Sequence, residues 1–370
     1  MGRHLVLAGG GHAHLLSLAN LRRFTEQGHR ITVIAPSETH WYSGMGPGLL
    51  GGLYTPEMIR FQTRQTVENN GGTFVPDAVL RIDPAGKTLF LQSGESMSYD
   101  LVSFNTGSHV PNPFFHELPP DVFPVKPIAG LLQARDRLLK LIAEQDIRVG
   151  VVGGGPAGAE IAGNVHRLLQ DRTRHQATIR IFAGQKFMPR FAEPVRSRVR
   201  ASLARRGIHI LEEGYVKDLQ QGQLILESGF HYEMDLCFLA LGVKPSPIFK
   251  HSGLPVASDG GLLVNSFLQS PDYPDIFGGG DCVAFQKRPL DKVGVYAVRQ
   301  NPVLFSNLLA RLEGAPLQTF DPGGDYLLVF NLGDGTGVFQ KKSLVFNGRA
   351  AFRIKDWIDR RFMNKFQRQG

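Results

Sequence analysis

The chain has 370 residues, 42% of them hydrophobic and 20% charged, enough for two or three domains around large buried cores and unlike a disordered or fibrous composition. Lysine and arginine outnumber aspartate and glutamate by 41 to 33, and the resulting +8 favours anionic partners such as a nucleotide, an anionic membrane or nucleic acid. The two cysteines, Cys237 and Cys282, form no short-spaced pair, which excludes a disulfide scaffold, a zinc site and a local redox dithiol; no apolar run reaches the ~18 residues of a spanning helix.

In chain order, the first predicted element is the strand His4-Leu5-Val6-Leu7-Ala8, which runs straight into Gly9-Gly10-Gly11-His12-Ala13-His14. This beginning lacks the pattern of a secretory signal, so a cytoplasmic location is expected. A helix-like segment and a second apolar strand, Arg30–Ile34, complete a βαβ unit. Farther on, Tyr99-Asp100-Leu101-Val102-Ser103-Phe104-Asn105-Thr106-Gly107 is an acid, an apolar strand and a small-residue turn. Both patterns then return. Arg148-Val149-Gly150-Val151-Val152 leads into Gly153-Gly154-Gly155-Pro156-Ala157-Gly158 and a strand Thr178–Phe182, and Met234-Asp235-Leu236-Cys237-Phe238-Leu239-Ala240-Leu241-Gly242 repeats the second pattern. Glycines permit the tight turn and close backbone approach, and the helix N-terminus offers N–H donors and a positive dipole, so each βαβ unit is built to hold a pyrophosphate. The second copy carries the full G-x-G-x-x-G; the first has His14 at the third glycine, where a side chain crowds helix against strand unless the geometry adjusts. The strand Asp275-Ile276-Phe277-Gly278-Gly279-Gly280-Asp281 closes the series.

In this order and spacing the chain resembles the flavoproteins with two dinucleotide-binding domains, the pyridine nucleotide-disulfide oxidoreductase superfamily, over nearly its whole length. The resemblance implies an α/β fold of two Rossmann-like domains (three-layer ββα) with a short C-terminal segment: residues 1–112 and 270–318 form the FAD-binding domain in two parts, 113–269 the inserted NAD(P)H-binding domain, and 319–370 the C-terminal segment. It places FAD against Gly9, Gly11, His12, Ala13, His14, Ser43, Gly44, Met45, Val79, Thr106, Gly107, Asp281, Val298 and Arg299, and NADH or NADPH against Gly153, Gly155, Pro156, Ala157, Gly158 and Gly242. The segment His40–Gly48 has no cysteine where disulfide reductases carry their pair. Within the superfamily, Gly9–His14, Tyr42–Met45 with Pro47-Gly48, Tyr296–Gln300 and Lys355–Met363 are similar to type II NADH:quinone oxidoreductases and to the flavoprotein module fused to selenide, water dikinase. The implied activity is ping-pong: hydride passes from NAD(P)H to FAD and electrons then pass to an acceptor, a quinone. A sulfide:quinone reductase and a non-catalytic flavin-binding redox sensor are the alternatives.

Several positions depart from the family pattern. The quinone-site motif A-Q-x-A-x-Q stands here as Val295-Tyr296-Ala297-Val298-Arg299-Gln300, without its first glutamine. No acid ends the second strand of the first unit, where Ala35-Pro36-Ser37-Glu38 leaves Ser37, and after it Glu38, to contact the adenosine ribose. The second unit has Ala183-Gly184-Gln185-Lys186 at that place; Lys186 and Arg190 are either 2′-phosphate ligands or solvated surface bases.

Because cofactors carry the hard chemistry, few catalytic side chains are expected. Three are assigned. Glu160 orients the nicotinamide or relays a proton, unless it merely complements a helix dipole; Lys126 stabilises reduced flavin, unless it is a surface lysine; Gln300, with Arg299, begins a helix aimed at the flavin edge. His12 and His14 either bond a phosphate or pack. No metal is expected. In the last stretch, Ile354, Trp357, Ile358, Phe362 and Phe366 recur at helical spacing among Lys355, Arg360, Arg361, Lys365 and Arg368, a basic amphipathic helix. It lies on an anionic bilayer at the cytoplasmic face, packs internally, or joins a homodimer. Nucleic acid is not expected, since basic and aromatic residues do not combine elsewhere.

Overall fold

A computed structural model describes residues 2–170, 172, 174–220 and 222–367. The two sequence repeats become two five-stranded parallel sheets of the same design. In the first, the order is Ile276–Gly278, Leu101–Phe104, His4–Ala8, Arg30–Ile34, Thr73–Val75; in the second it is Val122–Pro124, Leu236–Leu239, Ile147–Val152, Ala177–Phe182, His209–Leu211. The strands His4–Ala8, Leu101–Phe104 and Leu236–Leu239 are buried throughout and, apart from His4 and Ser103, apolar, as parallel strands covered on both faces must be. Each unit adds a three-stranded antiparallel meander, at Val79–Ser98 and at Val216–Glu233, which supplies the third layer.

The repeated acids fasten these strands in the same way. Asp100 accepts the backbone N–H of His4 at 2.6 Å, and Asp235 accepts that of Arg148 at 2.7 Å, so the residue before Leu101–Phe104 or Leu236–Leu239 pins the start of the adjacent central strand. The helices after the two glycine turns differ. Pro156–Leu169 runs 14 residues, whereas the first unit has only Leu15–Ala19 and, after a break, Arg22–Thr25.

The chain leaves the first unit near Val110, whose side chain already lies in the second unit's core. It returns earlier than the expected residue 270. Lys244–Pro245 pairs antiparallel with Ser108–His109, and Ile248, Phe249, Leu254, Leu262 and Leu268 pack into the first core. Their burial against the first sheet is the physical reason why 244–269 belongs to the first unit. The expected C-terminal segment is a small layer of its own, the antiparallel sheet Leu328–Asn331, Gly337–Lys341, Leu344–Gly348 followed by the helix Arg349–Gln367. Phe330, Leu332, Val338, Met363 and Phe366 join the core that contains Leu49, Leu50 and the helix Pro156–Leu169.

That junction has no spare room. A Cβ at Gly163 would stand 2.2 Å from the carbonyl oxygen of Leu332, and one at Gly333, whose φ is +86°, would stand 2.2 Å from that of Gly163. Gly163→Ala should therefore destabilise the protein by about 1–3 kcal/mol through overpacking. The expected signature is a lower melting temperature together with faster proteolysis in residues 328–348; an unchanged cleavage pattern would contradict the packing.

Candidate functional site

Both glycine turns open into one cleft of about 2870 Å³, several times the ~300–1,000 Å³ of an ordinary ligand pocket and large enough for two dinucleotides. The turns are held by close crossings of backbone. Gly9 has φ +97° and its Cβ would fall 2.2 Å from the Asn105 carbonyl oxygen; Gly153 has φ +129° and its Cβ would fall 2.2 Å from that of Ala240. Only glycine fits at either place. The third glycine behaves differently in the two copies. A Cβ at Gly158 would meet the Gly153 carbonyl oxygen at 2.0 Å, while His14, at the matching position, donates from Nδ1 to the Gly9 carbonyl oxygen at 2.7 Å and accepts the Ser103 hydroxyl at Nε2, 2.8 Å. The geometry has adjusted, and the imidazole replaces a tight contact with a hydrogen bond.

Most of the residues assigned from the sequence line this cleft: Gly9, Gly11, His12, Ser37, Ser43, Gly44, Val79, Thr106, Gly107, Lys126, Gly153, Gly155, Pro156, Ala157, Glu160, Gly242, Asp281, Val298 and Arg299. Glu38 is turned to Arg64, 2.7 Å away, which leaves Ser37 on the cleft side. Five assigned residues lie behind it. Ala13 is fully buried, its N–H on the Asn105 side chain, and His14 belongs to the sheet. Met45 sits in the core, and Gly158 is packed on Gly153. Gln300, expected to be catalytic, is 1% exposed and accepts the Gly280 N–H at 2.6 Å. It shapes the turn that carries Asp281; its helix begins six residues earlier, at Gly294, which turns Gln300 inward. Arg299 lines the cleft, but its guanidinium is taken by the carbonyls of Pro322 and Gly324.

Lys126 is no free surface lysine. Its ammonium donates to Asp281 at 2.8 Å and to the Ser108 hydroxyl at 3.2 Å. Burial works against the Asp281 charge, yet Lys126 and Ser108 hold its carboxyl below the usual carboxylate range. His12 stacks on Phe362 with ring centroids 5.7 Å apart and meets His40 through a 3.1 Å Nδ1 to Nε2 contact, while its own Nε2 has no partner among the described residues. Cys237 and Cys282 are buried and free, in different units, and neither lines the cleft. They offer no thiol relay to it.

The part of the site that the assignments missed comes from the C-terminal helix. Lys355 donates to Asp359 at 2.6 Å and to the Gly44 carbonyl at 2.7 Å, and Asp359 in turn accepts the Tyr42 hydroxyl at 2.9 Å. Glu160 faces this group across the cleft wall and accepts the Asn331 N–H at 2.7 Å. Burial pushes its carboxyl up to about 7, with Lys355 and the Asn331 bond opposing. Burial also disfavours the Lys355 charge, but Asp359 and Glu160 outweigh it and hold the ammonium above its usual range. The sequence signal was the opposite-charge i,i+4 pair Lys355 and Asp359 within an apolar helical stripe. Asn105 was also missed: its side chain accepts from Ala13 at 3.2 Å and donates to Gly279 at 2.6 Å, tying the first glycine turn to the last.

A family model described as pyridine nucleotide-disulphide oxidoreductase matches residues 3–301, which take in both glycine turns and the Asp281 segment. The chain belongs to this family. Members use FAD and NAD(P)H, and the cleft fits both. Gly107, at φ +72°, and Gly155 present bare backbone, with no atom within 4 Å of a would-be Cβ. The helix Pro156–Leu169 begins without a side-chain cap, so its N–H groups are free for a phosphate. Among curated proteins, a ferroptosis suppressor protein 1 from Taeniopygia guttata is 30% identical over 72% of this chain and 71% of its own. The demethylphylloquinone reductase NdbB of Synechocystis is 24% identical over 94% and 89%. Among solved structures, NDH2 from Plasmodium falciparum superposes with a TM-score of 0.85 at 14% identity, covering 100% of this chain and 97% of that one, and the sulfide:quinone oxidoreductase of Aquifex aeolicus with 0.79 at 18%, covering 100% and 92%. These two likenesses carry the fold, including the C-terminal layer.

The buried histidines set the acid limit of the fold. Burial lowers His12 and His14 to about 4, so an unfolded chain takes up protons near 6.5, before the folded one does. Their contribution is complete above 6.5 and drains away as pH falls toward 4, on the order of 3 kcal/mol for each. Denaturant midpoints should fall steeply across that window and less steeply in His14→Gln; a flat profile from pH 7 to 4.5 would contradict the assignment.

Proposed function

We propose that the protein is an FAD-dependent NAD(P)H:quinone reductase that works at a membrane surface. Relatives named for this chemistry include NdbB and a type II NADH:quinone oxidoreductase of Haemophilus influenzae, 25% identical over 57% of this chain and 52% of its own length. FAD bound in the first unit supplies a two-electron carrier between NAD(P)H and the quinone. The chain itself must then orient two substrates and manage protons, since a quinone takes up two protons with its two electrons.

One observation carries the proposal. The cluster of Glu160, Lys355, Asp359 and Tyr42 stands in the cleft wall where the C-terminal layer closes over the second glycine turn. Glu160, with a pKa of about 7, holds and releases a proton at neutral pH, as a general acid must. Lys355 keeps its charge beside it and is fixed by Asp359 and the Gly44 carbonyl. Lys126, fixed by Asp281 on the cleft wall, would hold an ammonium toward FAD bound in the first unit.

The C-terminal helix also presents a second side. Trp357, outside the cleft lining, is 59% exposed, with Arg361 over its ring at 5.2 Å. An exposed aromatic side chain flanked by arginine suits an anionic lipid surface, and Leu344 of the preceding hairpin is likewise exposed. Among the described residues no helix is long and apolar enough to cross a membrane. Arg368, part of the expected basic face, lies outside the described residues.

Anaerobic mixing with NADH or NADPH should bleach the oxidised flavin, and a quinone should restore it; no bleaching by either coenzyme would sink the reading. The rate of quinone reduction should break near pH 7 as Glu160 ionises, and Glu160→Gln should remove that break while slowing turnover by roughly 10²-fold. Retention of the break in the variant would assign the proton elsewhere. Trp357→Ala should lower sedimentation with phosphatidylglycerol vesicles while flavin bleaching in solution keeps its rate.

A further inference from the structure

We infer that the second unit selects NADPH over NADH, with Lys186 and Arg190 receiving the 2′-phosphate and Tyr215 flanking the adenine. The inference rests on the proposed NAD(P)H reading and adds which coenzyme is taken and by which residues.

The argument begins with what the end of the strand Ala177–Phe182 lacks. An NAD site in this topology offers a carboxylate there to bond both ribose hydroxyls. Here the strand ends in Phe182, 3% exposed and turned into the core against the Tyr232 ring at 5.2 Å. From Ala183 to Ala192 the chain has no acid at all. The acids of neighbouring segments are committed: Glu212 to the Phe187 N–H at 2.6 Å and Arg200 at 2.7 Å, Glu213 to the Tyr232 hydroxyl at 2.6 Å, and Glu193 to Arg196. A ribose placed here meets no free carboxylate from this wall.

It meets cations instead. Lys186 and Arg190 follow the strand end, both are exposed, and both line the cleft that the second glycine turn opens into. Among the described residues Lys186 has no ion-pair partner, and Arg190 has only Asp291, at 3.9 Å and itself half exposed. Lys186 thus carries no counter-charge and Arg190 only a loose, exposed one, which leaves both cations open to a dianion. A guanidinium and an ammonium are the usual pair for a phosphate monoester, one for planar bidentate contact and one as a point charge.

The third part is the aromatic wall. Gly184, at φ +67°, lies under the Tyr215 ring so closely that a Cβ would fall 2.6 Å from a ring carbon. The ring is thereby braced on backbone while remaining 55% exposed on the cleft. An exposed tyrosine braced in this way is a platform for a flat heterocycle, and it stands beside the residues that would hold that nucleoside's 2′-phosphate.

The test compares ligands before it compares activities. Adenosine 2′,5′-bisphosphate should bind the purified flavoprotein at least tenfold more tightly than adenosine 5′-monophosphate in calorimetric titration, with a steep loss at high salt; equal affinities overturn the inference. In anaerobic flavin bleaching, kcat/KM for NADPH should exceed that for NADH. Loss of charge-assisted contacts each worth roughly tenfold should move that ratio toward NADH by about a hundredfold in Lys186→Ala/Arg190→Ala. Lys186→Arg should retain the preference, which separates loss of charge from loss of fold. A wild-type protein that prefers NADH, or a double variant with an unchanged ratio, overturns the assignment. Bleaching by neither coenzyme would instead overturn the underlying oxidoreductase reading, and the titration would still decide the phosphate site.

Discussion

The architecture depends on a backbone crossing made twice. At the end of each central strand a glycine passes under a carbonyl just past the neighbouring strand, Gly9 under Asn105 and Gly153 under Ala240, with no space for a Cβ. The crossing forces the first strand into a turn at the point where the sheet order reverses, and the turn leaves a bare, N–H-rich rim. Everything functional is arranged around these two rims. The strands Leu101–Phe104 and Leu236–Leu239 lead into Thr106-Gly107 and Leu241-Gly242, which line the cleft because the crossing delivers them there. The last strand of the first sheet brings Asp281 to the same place, braced by Gln300 and Asn105.

The C-terminal layer converts an open groove between two nucleotide sites into a walled one. Its sheet locks onto the helix of the second unit through the contact of Gly163 with Leu332, and its helix then sets Lys355 and Asp359 opposite Glu160. Burial raises the Glu160 carboxyl while the nearby ammonium keeps it from rising further, so its proton is exchangeable at neutral pH. The same helix turns Trp357 outward and Ile358 toward the cleft. Its apolar residues therefore serve more than one surface, with Met363 and Phe366 in the core, Ile358 on the cleft and Trp357 outward, and a single-stripe description of the helix is incomplete.

The repeat was legible because glycine spacing and apolar strands are local features, and a close backbone crossing leaves a local mark. So were Asp100 and Asp235, although their common task of pinning the first strand required the sheet pairing. Less visible was the side on which a residue falls. Gln300 and Arg299 adjoin in sequence, but the helix that carries them starts at Gly294, so one is buried under a turn and the other faces the cleft. The return of the chain at Lys244 was hidden because Ile248–Leu268 looks equally apolar in either unit, and only long-range packing decides which core it enters. Asn105 had no pattern to reveal it, since a buried amide gains its meaning from the two carbonyl and N–H groups that it joins across distant segments.

His14 changes what the third glycine of a nucleotide-binding turn signifies. In the second unit that position is empty because the Gly153 carbonyl leaves no room, whereas in the first the Gly9 carbonyl is met by an imidazole N–H. The requirement common to both is a settled carbonyl, either shielded by bare backbone or given a donor. A letter-by-letter motif records only the first solution. Substituting glycine for His14 would restore the spelling of the motif while stranding both the Gly9 carbonyl and the Ser103 hydroxyl that the histidine joins, so in this chain the consensus residue is the disruptive one.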